Sequence, residues 1–204
     1  MDAELCFGFL KSEWQELSQR LDGSDEGAWA QGVGVFERRM RERFLSSIDA
    51  LFAADTKPDS SPLDSAHREE CIPGFAIMAL CCLVIETLQG FREARSGTNE
   101  RCIMFLRRPA FGEAFNGQVA KRFASGIRNG ILHDAETRKW VIWREEPAGE
   151  IVAKEDNGYA LNRSLFYAAL KEEFESYLRE LRDPANKELR QRFKKKMCDL
   201  CGEA

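Results

Sequence analysis

Arg128-Asn129-Gly130-Ile131-Leu132-His133 holds three side chains that could act on a phosphodiester. The Arg128 guanidinium presents donors in a rigid fork that matches phosphate oxygens and can stabilise charge developing on them. The His133 imidazole ionises near neutrality, so it can take or give a proton. The Asn129 amide could orient either one by hydrogen bonding. His133 is one of only two histidines in the chain.

Further residues could support such a site. Glu86 lies in the middle of an apolar run, and a buried acid is rarely left unpaired. Its partner is either Arg128 or another polar group in the core. Lys121, Arg122 and Arg138 flank the motif and are candidates for contacts to an RNA backbone. With Arg107, Arg108, Lys139 and Arg144 they make this stretch locally basic. Asp134 and Glu136 are possible metal ligands, but a single nearby His and no spaced carboxylate set argue against a metal site. No cofactor is expected. Cys198 and Cys201 form a lone Cys-x-x-C with no second pair of ligands near in sequence, which favours a structural reading.

The elements that must position these groups are mostly helices. Leu5, Phe9, Leu10, Trp14, Leu17 and Leu21 predict a helix over residues 3–21. Trp29, Val33, Phe36, Met40, Phe44, Ile48 and Leu51 predict a long amphipathic helix over 26–54. The composition then changes at 55–70, where Pro58 and Pro62 predict a mobile loop. Residues 74–94 are apolar nearly all round and predict the central helix of a bundle. A short helix is expected over 99–107. Another is expected over 115–137, with the stripe Val119, Phe123, Ile127 and Ile131. Residues 139–161 are β-prone with turns at Pro147-Ala148-Gly149 and Asp156-Asn157-Gly158, which predicts a small antiparallel hairpin or meander. A last long helix runs over 163–182, capped by Asn162, and a helical tail follows.

At roughly 100° per residue on a straight helix, Asn129 and His133 share the outer face and Arg128 lies on its other flank. Gly126 and Gly130 lie beside His133. A mid-helix glycine costs about 1 kcal/mol against alanine, so the pair predicts close approach by another element, a second helix above all. A single helix of that geometry does not aim Arg128 and His133 at one point. Two copies facing across a two-fold axis can.

The composition sets the frame. A hydrophobic fraction of 44% and a charged fraction of 31% in 204 residues are globular values. The reading is mainly α: one helical bundle of residues 1–204, with a core over 26–182, the β-hairpin insertion at 139–161 and a tail at 183–204. A net charge of −4 argues against attraction of nucleic acid or membrane over the whole surface. The longest apolar stretch, Ile72–Leu88, is interrupted by Pro73, Gly74, Glu86 and Thr87, and is not expected to cross a bilayer. The N-terminus lacks an export signal. Seven cysteines, several in apolar runs, fit buried thiols in a reducing compartment, so the chain is expected to be cytoplasmic.

The stretch Arg128-Asn129-Gly130-Ile131-Leu132-His133, late in a helix that follows a buried helix, resembles the signature of the HEPN superfamily (higher eukaryote and prokaryote nucleotide-binding domains). In helix order the similarity covers roughly residues 26–182, but only the six-residue stretch is specific. The resemblance implies an α-helical bundle, usually a homodimer, whose two motifs meet in one cleft. It also implies a metal-independent RNA endonuclease of toxin–antitoxin, phage-defence or RNA-processing type. Arg128, Asn129 and His133 would be catalytic, Glu86 supporting, and an antitoxin or effector protein a possible partner. Two rival readings stand beside it: a non-catalytic module that binds RNA, a nucleotide or a protein, and a structural subunit docking through its Trp140–Trp143 hairpin.

Overall fold

The computed structural model describes residues 3–21, 25–55, 73–93 and 97–202. Helices dominate, and the sheets are small. The loop expected at 55–70 lies, beyond Asp55, outside the described residues.

The chain opens differently from its apolar spacing. Residues 3–21 are not one helix: strands β1 (Glu4–Cys6) and β2 (Phe9–Leu10) form an antiparallel hairpin before helix α1 (Lys11–Arg20). Gly8 turns the chain at φ +69°, a conformation that a side chain disfavours. Leu5 and Phe9, four apart, are buried from paired strands rather than from one helical face. Glu13 then reaches back to accept the Leu10 N–H at 2.6 Å, which closes the start of α1.

Helix α2 (Glu26–Met40) begins where Asp25 Oδ1 accepts the Ala28 N–H at 2.9 Å. It widens through one π-helical turn at Arg41–Leu45 and continues as α3 (Ser46–Ala54), so the long expected helix is continuous. Helix α4 (Gly74–Arg92) is the apolar helix of the sequence, with Ile77, Met78, Cys81, Cys82, Val84, Ile85 and Leu88 fully buried. By length and composition alone it is long and apolar enough to cross a membrane, contrary to the expectation drawn from its interruptions. Most of it is buried within the protein.

Helix α5 (Thr98–Phe105) and a 3-10 turn at Pro109–Phe111 lead to α6 (Gly117–Phe123). Helix α6 starts two residues later than the expected 115 because Asn116 Oδ1 accepts the N–H groups of Gln118 and Val119, both at 3.1 Å. Two π-helical stretches extend it, Ala124–Arg128 and Gly130–Asp134, and Ala135 in the left-handed region ends it.

Residues 140–162 form three strands rather than a simple hairpin: β3 (Trp140–Trp143), β4 (Val152–Glu155) and β5 (Gly158–Asn162), in the order β3-β5-β4. Of the two expected turns, only Asp156-Asn157 joins an antiparallel pair, β4–β5, and the strands on either side of Pro147-Ala148-Gly149 do not pair with each other. Strand β3 runs parallel to β5, pairing Trp140 with Tyr159. Asn162 Oδ1 accepts the Leu165 N–H at 3.0 Å and so caps α7 (Arg163–Arg182), as expected. Helix α8 (Lys187–Cys201) completes the chain.

The contacts group into two compact units. The first comprises Met1–Ser47, Gly90–Ser96 and Phe174–Ala204. Its core centres on Phe36, whose ring lies 4.6 Å from Phe91, 5.5 Å from Phe193 and 5.8 Å from Tyr177. The tail helix therefore supplies core: Phe193 and Met197 are fully buried. The second unit comprises Ile48–Gln89 and Gly97–Glu173, and holds the candidate site. A run of aromatic rings fills it, with Phe123 stacked on Phe166 at 5.2 Å and edge-on to Trp140 at 5.8 Å. The buried Glu173 closes this core by accepting from Arg108 Nε at 2.5 Å and from the Ala110 N–H at 2.9 Å.

Candidate functional site

The straight-helix wheel fails at the motif, because the helix there is not an α-helix. In a π-helical turn the backbone bond runs from residue i to i+5, and such turns are rare and favour functional sites. The Asn129 N–H bonds to the Ala124 carbonyl and the Ala135 N–H to that of Gly130, each spanning five residues. Residues five apart then stack along the axis. Arg128 and His133 are five apart, so the widened turn places them side by side in one chain. The expectation that one helix cannot aim both at a single point is thereby corrected. The same rotation takes Ile131 partly out of the core, while Val119, Phe123 and Ile127 stay in it.

Arg128 is the hub. Its Nε donates to Glu86 Oε1 at 2.5 Å, one of the two partners the sequence offers for that acid. Its Nη1 donates to Asn129 Oδ1 at 2.7 Å and lies 3.3 Å from His133 Nε2. A guanidinium has donors only, so His133 Nε2 must accept, which leaves the ring proton on Nδ1. Arg128 and Glu86 side chains are 13% and 17% exposed, whereas His133 is open to solvent. The ion pair is therefore poorly hydrated and firmly held, and it carries a proton-transfer group at the surface.

The two glycines face this chain's own backbone. After Ala135 the chain reverses and runs back along the helix. A Cβ on Gly130 would sit 2.2 Å from the Glu136 carbonyl oxygen, and one on Gly126 would sit 2.8 Å from the Trp140 ring. The close approach expected from a second helix is thus made by residues 136–140. Glu136 serves as backbone here, and Trp140, 5% exposed, is packed between Phe123 and Tyr159 rather than offered for docking.

The flanking cations divide. Lys121 and Arg122 are exposed on α6, with the Arg122 guanidinium 5.9 Å over the Tyr159 ring. Arg138 forms an ion pair with Asp134 one turn earlier, so its charge is largely answered within the chain. No group of three potential metal ligands occurs among the described residues. Behind the ion pair lie buried thiols that the sequence did not tie to the site. Burial pushes the Cys102 thiol up to about 12 and Cys82 well above its ordinary value, and the negative charge of Glu86 adds to both. Burial keeps both as unreactive thiols. Cys6, Cys81, Cys82 and Cys102 are buried thiols, and Cys71 lies outside the described residues.

No family model matches this chain, and neither a curated protein nor a solved structure does.

Proposed function

We propose that this protein is a metal-independent RNA endonuclease of the HEPN type. The single observation that carries the reading is the Arg128–Asn129–His133 cluster, gathered by a π-helical turn at a surface. Arg128 binds the scissile phosphate, His133 moves a proton to or from the reacting oxygens, and Asn129 orients both. Attack by the neighbouring 2′-oxygen expels the 5′-oxygen and leaves a cyclic phosphate, so DNA is not cut.

Such a reaction needs one group to accept the 2′-hydroxyl proton and another to protonate the leaving oxygen. The described part of each chain holds one imidazole, His133, and a second copy supplies the other. Phe75 and Leu83 of α4, 43% and 39% exposed on the helix that carries Glu86, favour such pairing. An enzyme of this class acts in the cytoplasm under the restraint of a neutralising or activating protein.

RNA cleavage in EDTA tests the reading: activity in the intact chain, a cyclic-phosphate product, and loss on Arg128→Ala and on His133→Ala. Cleavage that survives His133→Ala removes it. The rival reading, a non-catalytic module binding RNA, a nucleotide or a protein, is favoured by the Arg138–Asp134 pair and the net charge of −4. It predicts binding without product.

A further inference from the structure

Arg128 has five N–H donors, and three of them are already engaged: Nε–H by Glu86, and the two on Nη1 by Asn129 and His133. Only Nη2 is left. A guanidinium grips a phosphate bidentately through one of two edges, Nε/Nη2 or Nη1/Nη2. Each edge here contains an engaged donor, so no bidentate grip forms without an exchange.

The two exchanges differ in cost. Taking the Nε/Nη2 edge displaces Glu86 and strands a carboxylate at a site that is 17% exposed and backed by Cys82 and Cys102. Taking the Nη1/Nη2 edge needs one Nη1 hydrogen and displaces one uncharged acceptor, Asn129 or His133. One of them, His133, is exposed, and water can take its place. The contacts themselves agree, since the Glu86 bond is charge-assisted at 2.5 Å and the His133 contact is long at 3.3 Å.

We propose that Glu86 is a positioning residue that dictates the edge on which Arg128 receives an oxoanion, and that entry of the anion unmasks His133. In this structure the Arg128 Nη1–H caps the Nε2 lone pair, so the imidazole cannot accept a proton there. A phosphodiester at the Nη1/Nη2 edge takes that donor away and releases the lone pair beside the bound phosphate. The Nε2 lone pair is thus available to a proton only when substrate is present. This inference rests on the nuclease reading for the identity of the anion, but not for the exchange itself.

The experiment uses the full chain labelled with 15N in histidine and arginine, at pH 8, where an ordinary imidazole is neutral. Inorganic phosphate is the probe, and long-range 1H–15N spectra report which ring nitrogen of His133 carries the proton. Without phosphate, His133 should show the Nδ1–H form with a hydrogen-bonded Nε2. Phosphate should shift the Nε2 signal toward that of a free imidazole while the Arg128 Nε–H signal stays in place. Glu86→Gln, confirmed as folded by circular dichroism, should need several-fold more phosphate for the same change. Movement of Arg128 Nε–H with His133 unchanged means that the anion displaced Glu86, and overturns the proposal. So does the absence of any response at either residue. A chain that passes this test but cleaves no RNA keeps the exchange and loses the nuclease.

Discussion

Arg190 and Arg128 are both arginines held by a glutamate, in different units of the protein, and they show two uses of one chemistry. Arg190 is 5% exposed, and its Nη1 and Nη2 grip Glu26 at 2.8 and 2.7 Å. Its Nε donates to the Leu181 carbonyl and Nη2 also to that of Arg182, both at 2.9 Å, where α7 ends. Those acceptors are main chain and cannot leave without unfolding the helix end. Beyond Glu86, Arg128 spends its Nη1 donors on side chains, Asn129 and His133, which can turn away. Backbone acceptors make an arginine a fastening. Mobile side-chain acceptors make it a site.

The sharpest way to break that contrast is catalytic. His133→Ala should lower RNA cleavage by about 10²–10⁴-fold, the range for losing a general acid–base group, with little change in melting temperature because His133 is exposed. Arg190→Ala should leave cleavage by the folded fraction unchanged. Cleavage rates normalised to folded protein decide this, and equal losses in both variants abolish the distinction.

Next in size is Gly130→Ala. With the Glu136 carbonyl oxygen 2.2 Å from the new Cβ, the returning strand must move, and overpacking of this kind costs roughly 1–3 kcal/mol or more. Urea unfolding should show that loss. Its cleavage should fall further than the loss of folded protein explains, because the displaced segment lies against the motif helix.

Arg190→Ala should cost about 2 kcal/mol in the same measurement, from lost charge-assisted bonds and stranded carbonyls. Arg190→Lys should recover only part of it, since an ammonium cannot reproduce the fork.

The smallest effect lies at low pH. The Arg190 guanidinium holds Glu26 below the ordinary carboxylate range, and the Ala28 N–H, followed by Arg20, does the same for Asp25. A carboxylate whose value is depressed on folding contributes stability above its unfolded value, near pH 4, and loses it as pH falls through the folded value. Glu26→Gln should therefore lower stability above about pH 4, where the ion pair with Arg190 is formed, and flatten the acid limb of the profile. Thermal melts across pH 2–8 measure this.

The apolar run of α4, the stripe Val119, Phe123 and Ile127, and the Asn162 cap were legible because local patterning and helix periodicity set them. A mainly α chain follows from those residues, and a small β insertion from the β-prone stretch 139–161. The N-terminal hairpin was not legible, because Leu5 and Phe9 satisfy a helical spacing equally well, and only Gly8 marked the turn. The parallel partnership of β3 with β5 depends on pairs nineteen positions apart, which periodicity does not carry.

For the site, residue types alone singled out Arg128, Asn129, His133 and Glu86, since guanidinium, amide, imidazole and an acid in an apolar run are chemically conspicuous anywhere. Their meeting was decided by tertiary structure. Gly126 and Gly130 admit the returning 136–140 segment, which lies against the helix where its turns widen to five residues. A wheel drawn with α-helical spacing cannot contain that, because it assumes backbone bonds four residues apart where these turns make them five apart.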